Sequence, residues 1–428
     1  MWFRRDLRVC DHPALLAASK ASNSVVPLYV IDPTLWERAG SPRRAYLTAS
    51  LRALDDQLGG ALSIRVGDPR VIVPEVAREV AAPSVHISAD YAPYGMARDS
   101  RVATALGDIP LTAIGSPYAV APGRLHTGSG GRFKVFTPFF RAWLAHGWRK
   151  PAEPIAADQQ WAKLTTDNLP DTSHVELPPV GELAALNRWD EFRPRLATYA
   201  VDRDRPAIEG TSRLSPALRW GEIHPRTVLA DLSDSAADSK FRAEIAWREF
   251  HAEVLAANPR GVREPLRPEY DAIETDAPGP SFDAWRQGRT GFPIVDAGMR
   301  ELLATGLMHN RVRMIVASFL IKDLHIDWRL GARHFMDHLI DGDIASNQLN
   351  WQWVAGCGTD AAPYFRVFNP TSQGRKFDPR AEYIIRWVPE LAGANDPHEP
   401  LDVPGYPAAI LDHAAERRVA LKRWEQIR

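Results

Sequence analysis

The sequence predicts two architectures in one chain: an α/β doubly wound parallel sheet at the N-terminal end and an all-α region beyond residue 181. Two observations carry this. Short β-rich apolar runs alternate with helix-like stretches over the first third. From Gly181 onward, apolar residues recur at three- and four-residue spacing with no strand alternation between them. The expected strands cover residues 25–31, 62–66, 85–87 and 111–114, with helices over 45–58, 71–80 and 96–106. A first strand is expected ahead of Arg4-Arg5-Asp6, where only Met1-Trp2-Phe3 remain, so the natural start is expected upstream or the chain is trimmed. Residues 149–179 are rich in Pro, Asp and Thr without periodicity and read as a connection. The expected division is therefore an α/β domain over 1–125, a linker over 126–180 and a helical domain over 181–428, with helices at 241–257, 293–304, 308–324 and 332–339.

Composition narrows the function classes. The chain has 428 residues, 45% hydrophobic and 25% charged, which suits a soluble globular protein with a large core. Lys+Arg 52 against Asp+Glu 53 gives a formal charge of -1, so binding to a polyanion must rest on a local basic patch. Fourteen tryptophans hint at stacking or electron transfer, although Trp also fills cores well. Cys10 and Cys357 are the only cysteines, which excludes a disulfide framework or a cysteine zinc site and fits a reducing cytoplasm. No apolar run has membrane-spanning length, and the charged N-terminus lacks the apolar core of a signal peptide.

No GxGxxG after a strand and no GxxxxGK[ST] is present. Gly128-Ser129-Gly130-Gly131 reads as flexible connection, and His334 and His338 read as ordinary helix histidines, so no metal is expected. Thr211-Ser212-Arg213-Leu214-Ser215-Pro216 resembles a helix start, where free N–H groups hold an anion and Arg213 adds a charged donor; a plain N-cap is the simpler alternative. Glu244, Trp247 and Arg248 fall at i, i+3 and i+4 and share one helix face, suited to a flat, anionic, hydrogen-bonding substrate or equally to a surface ion pair beside a core Trp. Asn310, Arg311, Arg313 and Met314 form a similar set, followed by Asp341-Gly342-Asp343, Asn347, Trp351 and Trp353. A buried Asp here needs a partner, and Arg313 is the evident one.

Taken together, Trp2-Phe3-Arg4-Arg5-Asp6-Leu7-Arg8, residues 209–215, Trp247-Arg248-Glu249-Phe250, Met308-His309-Asn310-Arg311, Asp341-Gly342-Asp343 and residues 360–370 stand in the order and spacing of the photolyase/cryptochrome superfamily. The pattern resembles its class I cyclobutane pyrimidine dimer (CPD) photolyases over nearly the whole chain. The resemblance implies an antenna domain, then a helical domain holding a folded FAD. Tyr199, Thr211, Ser212, Arg213, Leu214, Ser215, Phe241, Asn310, Arg313, Asp341, Asp343 and Asn347 match its FAD-binding positions. Asn347 is the residue expected opposite flavin N5, with its amide oxygen accepting the N5–H of the reduced flavin. Phe241 stands where a Trp is common.

The implied reaction is light-driven electron transfer from reduced FAD to a flipped-out dimer, followed by ring opening. Glu244 is expected to hydrogen-bond a pyrimidine carbonyl as charge develops. Trp247 and Trp353 are expected to wall the dimer, with Met314 beneath. Arg248, Asn310, Arg311, Arg366 and Gln373 match DNA-contacting positions, the arginines on flanking phosphates. Asn310 replaces the histidine of (6-4) photolyases. The partner implied is DNA carrying pyrimidine dimers, and a monomer is expected. Trp351 and Trp328 match the first two residues of an electron-transfer chain; the third position falls near Thr275, with Tyr270 or Trp285 as substitutes. Asp90 and Arg98 resemble the anchors of a deazaflavin antenna, with FMN, folate or an empty site as alternatives. The competing functions are a cryptochrome-type blue-light photoreceptor and a flavoprotein oxidoreductase.

Overall fold

The computed structural model describes all residues except 173–174, 361–365 and 428. Parallel pairing accounts for every strand among the described residues. β1 (Trp2–Phe3) lies beside β3 (Leu28–Ile31), which pairs in turn with β4 (Ser63–Val66). β2 (Ser24–Val25) pairs with β7 (Gln160–Trp161), and β5 (Val85–Ile87) with β6 (Leu111–Ala113). The strand expected ahead of Arg4 is thus formed by Trp2–Phe3 themselves.

Parallel neighbours need a crossover, and helices supply it. They begin earlier than periodicity alone indicates, because a proline in the first turn sets each start, Pro42 for Ser41–Gln57, Pro69 for Pro69–Glu79 and Pro93 for Pro93–Leu106. Asp68 Oδ1 accepts from Arg70 N at 2.9 Å, and Pro69 occupies the first turn of the Pro69–Glu79 helix. Asp32 caps Pro33–Trp36 in the same way. Trp2, Val30, Val73, Val76, Val85, Ile87, Val102 and Leu106 share one buried cluster beneath these elements.

Two compact units form: Met1–Pro194 with Ser212–Pro259, and Arg195–Thr211 with Arg260–Arg428. They do not follow the expected boundaries. The expected 126–180 linker carries the Phe136–His146 helix and β7, and Trp143 within it is fully buried. Its indole Nε1 donates to Glu249 Oε2 at 2.7 Å. The helices Glu182–Phe192, Ser215–Trp220, Pro225–Ala230 and Ala236–Ala257, expected in the helical domain, belong to the first unit. Buried acids hold them there. Glu222 accepts from Tyr46 Oη at 2.8 Å, Ser50 Oγ at 2.6 Å and Gly181 N at 3.0 Å. Glu249 accepts from the amides of Ala119 and Val120, and Glu253 accepts from Gly123 N and Arg132. Gly221, with φ near +73°, passes so close to the backbone of Arg5 that a Cβ would lie 2.1 Å from its carbonyl oxygen.

The second unit is helical. Its core gathers Trp285, Phe292, Val316, Phe319, Phe335 and Trp351, contributed by helices Pro280–Gln287, Asn310–Lys322, Trp328–His338 and Ile344–Ala355 and by the turn before Pro293–Thr305.

Candidate functional site

The candidate residues fall into one cluster in each unit. In the second unit, Asp343 is the N-cap of Ile344–Ala355, its Oδ1 accepting from Ala345 N at 3.1 Å and Ser346 N at 3.0 Å. Asn347 and Trp351 follow at four-residue steps and so share its face. Arg313 Nη2 donates to Asp341 Oδ2 at 2.8 Å and its Nε to Met308 O at 2.8 Å, which is the partnership expected for a buried Asp. Asp341 Oδ1 is buried and meets no donor among the described residues. Asn347 Nδ2 donates to Ala332 O at 3.0 Å and to Gln348 Oε1 at 2.9 Å. A backbone carbonyl takes only a donor, so this bond fixes which end of the amide is nitrogen and leaves Oδ1 as an acceptor.

Trp351 is buried edge-on against Phe335 at 4.9 Å and Trp285 at 6.4 Å. Gly331 makes this possible, because a Cβ there would stand 2.2 Å from the indole. Of the two substitutes for a third electron-transfer residue, Trp285 is sealed, with 0% exposure and Nε1 donating to Val316 O. Tyr270 instead lines a cavity of about 80 Å³ together with Trp328 and Thr275. Its Oη accepts from Trp424 Nε1 at 3.1 Å, a contact that sequence reasoning missed because the C-terminal helix carries no motif. Trp353 Nε1 donates to Asp360 O.

The DNA-contact candidates of this unit differ in availability. Asn310 is exposed at the first position of its helix, whose cap is His309; burial lowers the His309 pKa to about 4. Arg311 is ion-paired with Asp204 at 2.8 Å, lies over the Phe377 ring and approaches Met314 Sδ. Arg366 is exposed over Phe368, and Gln373 is half-buried on Pro370–Phe377. Residues 361–365 of the expected 360–370 motif lie outside the described residues. Tyr199 is buried with Arg203 over its ring, and Thr211 is half-buried.

In the first unit, Ser212 Oγ accepts from Leu214 N, Arg213 is exposed at φ +50°, and the Ser215–Trp220 helix begins where expected. On Ala236–Ala257, Glu244 and Trp247 are half-buried. Trp247 stacks on Phe136 at 3.7 Å and 7°, an aromatic partner missed in the sequence because residues 126–180 read as linker. Arg248, expected on a phosphate, donates through its guanidinium to Pro117 O at 2.8 Å and Leu218 O at 3.0 Å and lies over Tyr118. Backbone carbonyls leave no trace in sequence, so this could not be read in advance. Phe241 is packed into the core against Trp189 at 5.3 Å and Phe192. Asp90 and Arg98 do come together at 3.5 Å, and Arg98 also pairs with Asp99 and covers Trp2. The neighbouring cavity, lined by Arg4, Arg5, Asp6 and Asp90, measures about 10 Å³, room for a water.

Residues 1–157 match the family "DNA photolyase", and residues 241–426 match "FAD binding domain of DNA photolyase". A deoxyribodipyrimidine photo-lyase from Agrobacterium fabrum is 40% identical over all of this chain and 98% of its own length; one from Streptomyces griseus is 41% identical over 96% and 94%. The chain belongs to the DNA photolyase family. A bacterial class III photolyase from Agrobacterium tumefaciens superposes with a TM-score of 0.88 at 38% identity, covering 100% of this chain and 96% of that one. An archaeal photolyase from Sulfolobus tokodaii, solved with two FAD molecules, gives 0.88 at 30% identity, covering 99% of each. The photolyase family's FAD fits the donor set of the second unit, which offers an unmatched buried carboxylate oxygen on Asp341, the Arg313 guanidinium bound to that carboxylate, and the anchored amide of Asn347.

Proposed function

We propose that this chain is a deoxyribodipyrimidine photo-lyase that splits cyclobutane pyrimidine dimers in DNA. The observation that carries this is the full-length similarity, near 40% identity, to proteins of that activity. Bound and reduced, FAD supplies the light-excited electron that opens the cyclobutane ring.

The chain's own residues do the rest. Arg313 and the carboxylate of Asp341 would hold the flavin, and the anchored amide of Asn347 would offer it Oδ1 as an acceptor. Tyr199, Thr211, Ser212, Arg213, Leu214, Ser215, Asn310 and Asp343 complete the FAD contacts, those of 212–215 on phosphate. Glu244 hydrogen-bonds a pyrimidine carbonyl, and Trp247 and Trp353 flank the flipped dimer, with Met314 beneath it. Asn310, Arg311, Arg366 and Gln373 contact the DNA backbone, Arg311 while balanced by Asp204. Arg248 acts through packing, since Nη1 and Nη2 each donate to a backbone carbonyl. Phe241 supports Trp189 in the core and has an indirect role. Trp351 and Trp328 relay electrons to the flavin, with Tyr270 the next residue outward.

The choice of cyclobutane dimers over (6-4) lesions rests on Glu244, Trp247, Asn310 and Met314. For the antenna the resemblance favours a deazaflavin near Asp90 and Arg98, while the cavity lined by Asp90 has room only for a water. Among the described residues no helix is long and apolar enough to cross a membrane; the reading is of a cytoplasmic monomer. A cryptochrome-type photoreceptor is the second reading, since a Synechocystis cryptochrome superposes with a TM-score of 0.89, though at 26% identity.

The test is repair of a thymine-dimer oligonucleotide by purified, dithionite-reduced protein. Intact thymines return under blue light and not in darkness; bound, reduced FAD without dimer splitting would transfer the lead to the photoreceptor.

A further inference from the structure

Lysine is seldom buried in full, yet Lys322, the last residue of the Asn310–Lys322 helix, is only 4% exposed. Its Nζ donates to Arg366 O at 2.5 Å. One turn earlier on the same helix face, Ser318 is sealed from solvent, and its Oγ accepts from Phe368 N at 3.4 Å. A further turn back stands Met314, so the residue expected beneath the dimer is in line with the two that tie residues 366–368. The other described end of the 360–370 motif is tied in a similar way, with Asp360 O accepting from Trp353 Nε1 at 3.0 Å.

The charge on Lys322 works against the fold. Desolvation lowers its pKa to about 7; Asp323 and Cys357 pull the other way, and Arg366 lowers it further. The folded protein therefore holds this proton less tightly than the unfolded chain does, and burying Lys322 at neutral pH costs stability. The adjacent Asp323 pairs with His413 at 2.5 Å. An apolar side chain of the same length would fill the space without that cost. What the ammonium does supply is a donor to a backbone carbonyl in a segment outside any helix or strand, whose polar groups need partners. Arg366 is exposed and lies 4.9 Å over the ring of Phe368, which is itself buried. The helix holds the backbone, the backbone holds the ring, and the ring carries the guanidinium.

We propose that Lys322 is a positioning residue for the DNA contact: with Ser318 it pins the backbone of residues 366–368 and so sets the Arg366 guanidinium where it meets a phosphate. This rests on the photolyase reading and adds to it the buried side chains through which Arg366 is aimed. Lys322 itself touches neither DNA nor cofactor.

The experiment compares the full chain with Lys322→Met, Arg366→Gln and the two combined. Hydrogen exchange at the amides of residues 366–368 is read without DNA. Binding to a thymine-dimer duplex and to the matching undamaged duplex is then measured over a series of salt concentrations. Lys322→Met keeps or raises the melting temperature and speeds exchange of the Phe368 amide by about tenfold. It also lowers the slope of log K against log salt by about 1, as Arg366→Gln does. The combined variant falls no further than either alone, since both act through one contact. Unchanged exchange in Lys322→Met overturns the proposal. So does a slope loss that adds in full to that of Arg366→Gln, or a lowered melting temperature with an unchanged slope. Should Lys322→Met not fold, Ser318→Ala removes the second tie and is read by the same two measurements. If the parent protein shows no preference for the damaged duplex, the photolyase reading fails instead, and exchange at Phe368 still decides this one.

Discussion

The two arginines Arg313 and Arg248 stand at comparable places in their units, each on a helix that carries candidate ligand-binding residues, yet their surroundings differ. Arg313 meets a buried carboxylate at 2.8 Å. Arg248 meets two backbone carbonyls and an aromatic ring. The first arrangement leaves one carboxylate oxygen unmatched and ready for a ligand; the second uses both ends of the guanidinium for internal structure. The difference separates a residue poised to bind from one that positions the helix it sits on.

Three substitutions break or sharpen that comparison. Asp341→Asn removes the charge that balances Arg313; losing one partner of a buried pair costs about 4 kcal/mol, and the flavin contact goes with it. Urea unfolding and the flavin absorbance of the purified protein should both register the loss. Arg248→Gln removes two charged hydrogen bonds and is expected to lower stability by about 3 kcal/mol while leaving the salt slope of DNA binding unchanged. A reduced slope would return Arg248 to the phosphate-binding set. The smallest effect concerns Glu249, which follows Arg248 on the same helix and whose pKa burial raises to about 6. The folded protein then holds this proton more tightly than the unfolded chain does. Its contribution is therefore greatest below the ordinary glutamate range and falls by roughly 2 kcal/mol as pH rises through 6. Glu249→Gln should flatten that part of the stability profile between pH 4.5 and 7 in thermal melts, and an unchanged profile would remove Glu249 as its source.

What the sequence made legible followed from short-range rules. Residues 85–87 form a strand as expected, and the helix expected from Pro293 begins there, because alternation and a proline at the first turn are local signals. The Arg313–Asp341 pair was legible too, since a buried acid demands a base nearby in the pattern. The Phe136–His146 helix was not. Its N-cap is Val135, without a side-chain cap bond, so no polar cap marks its start. Its stability comes from Glu249, Phe250 and Trp247, more than a hundred residues away. The destination of Arg248 was hidden for the same reason, as was the pairing of Tyr270 with Trp424.

The central claim is that the chain's own residues direct light-driven dimer splitting, and Glu244 is the side chain assigned to the substrate rather than to the cofactor. The most direct measurement is the repair yield per absorbed photon for the parent protein and Glu244→Ala, both with reduced FAD bound and both read against a dark control. The account predicts light-dependent repair by the parent and a several-fold lower yield in the variant at equal flavin occupancy. Equal yields would contradict the role given to Glu244, and no light-dependent repair by either protein would contradict the account as a whole.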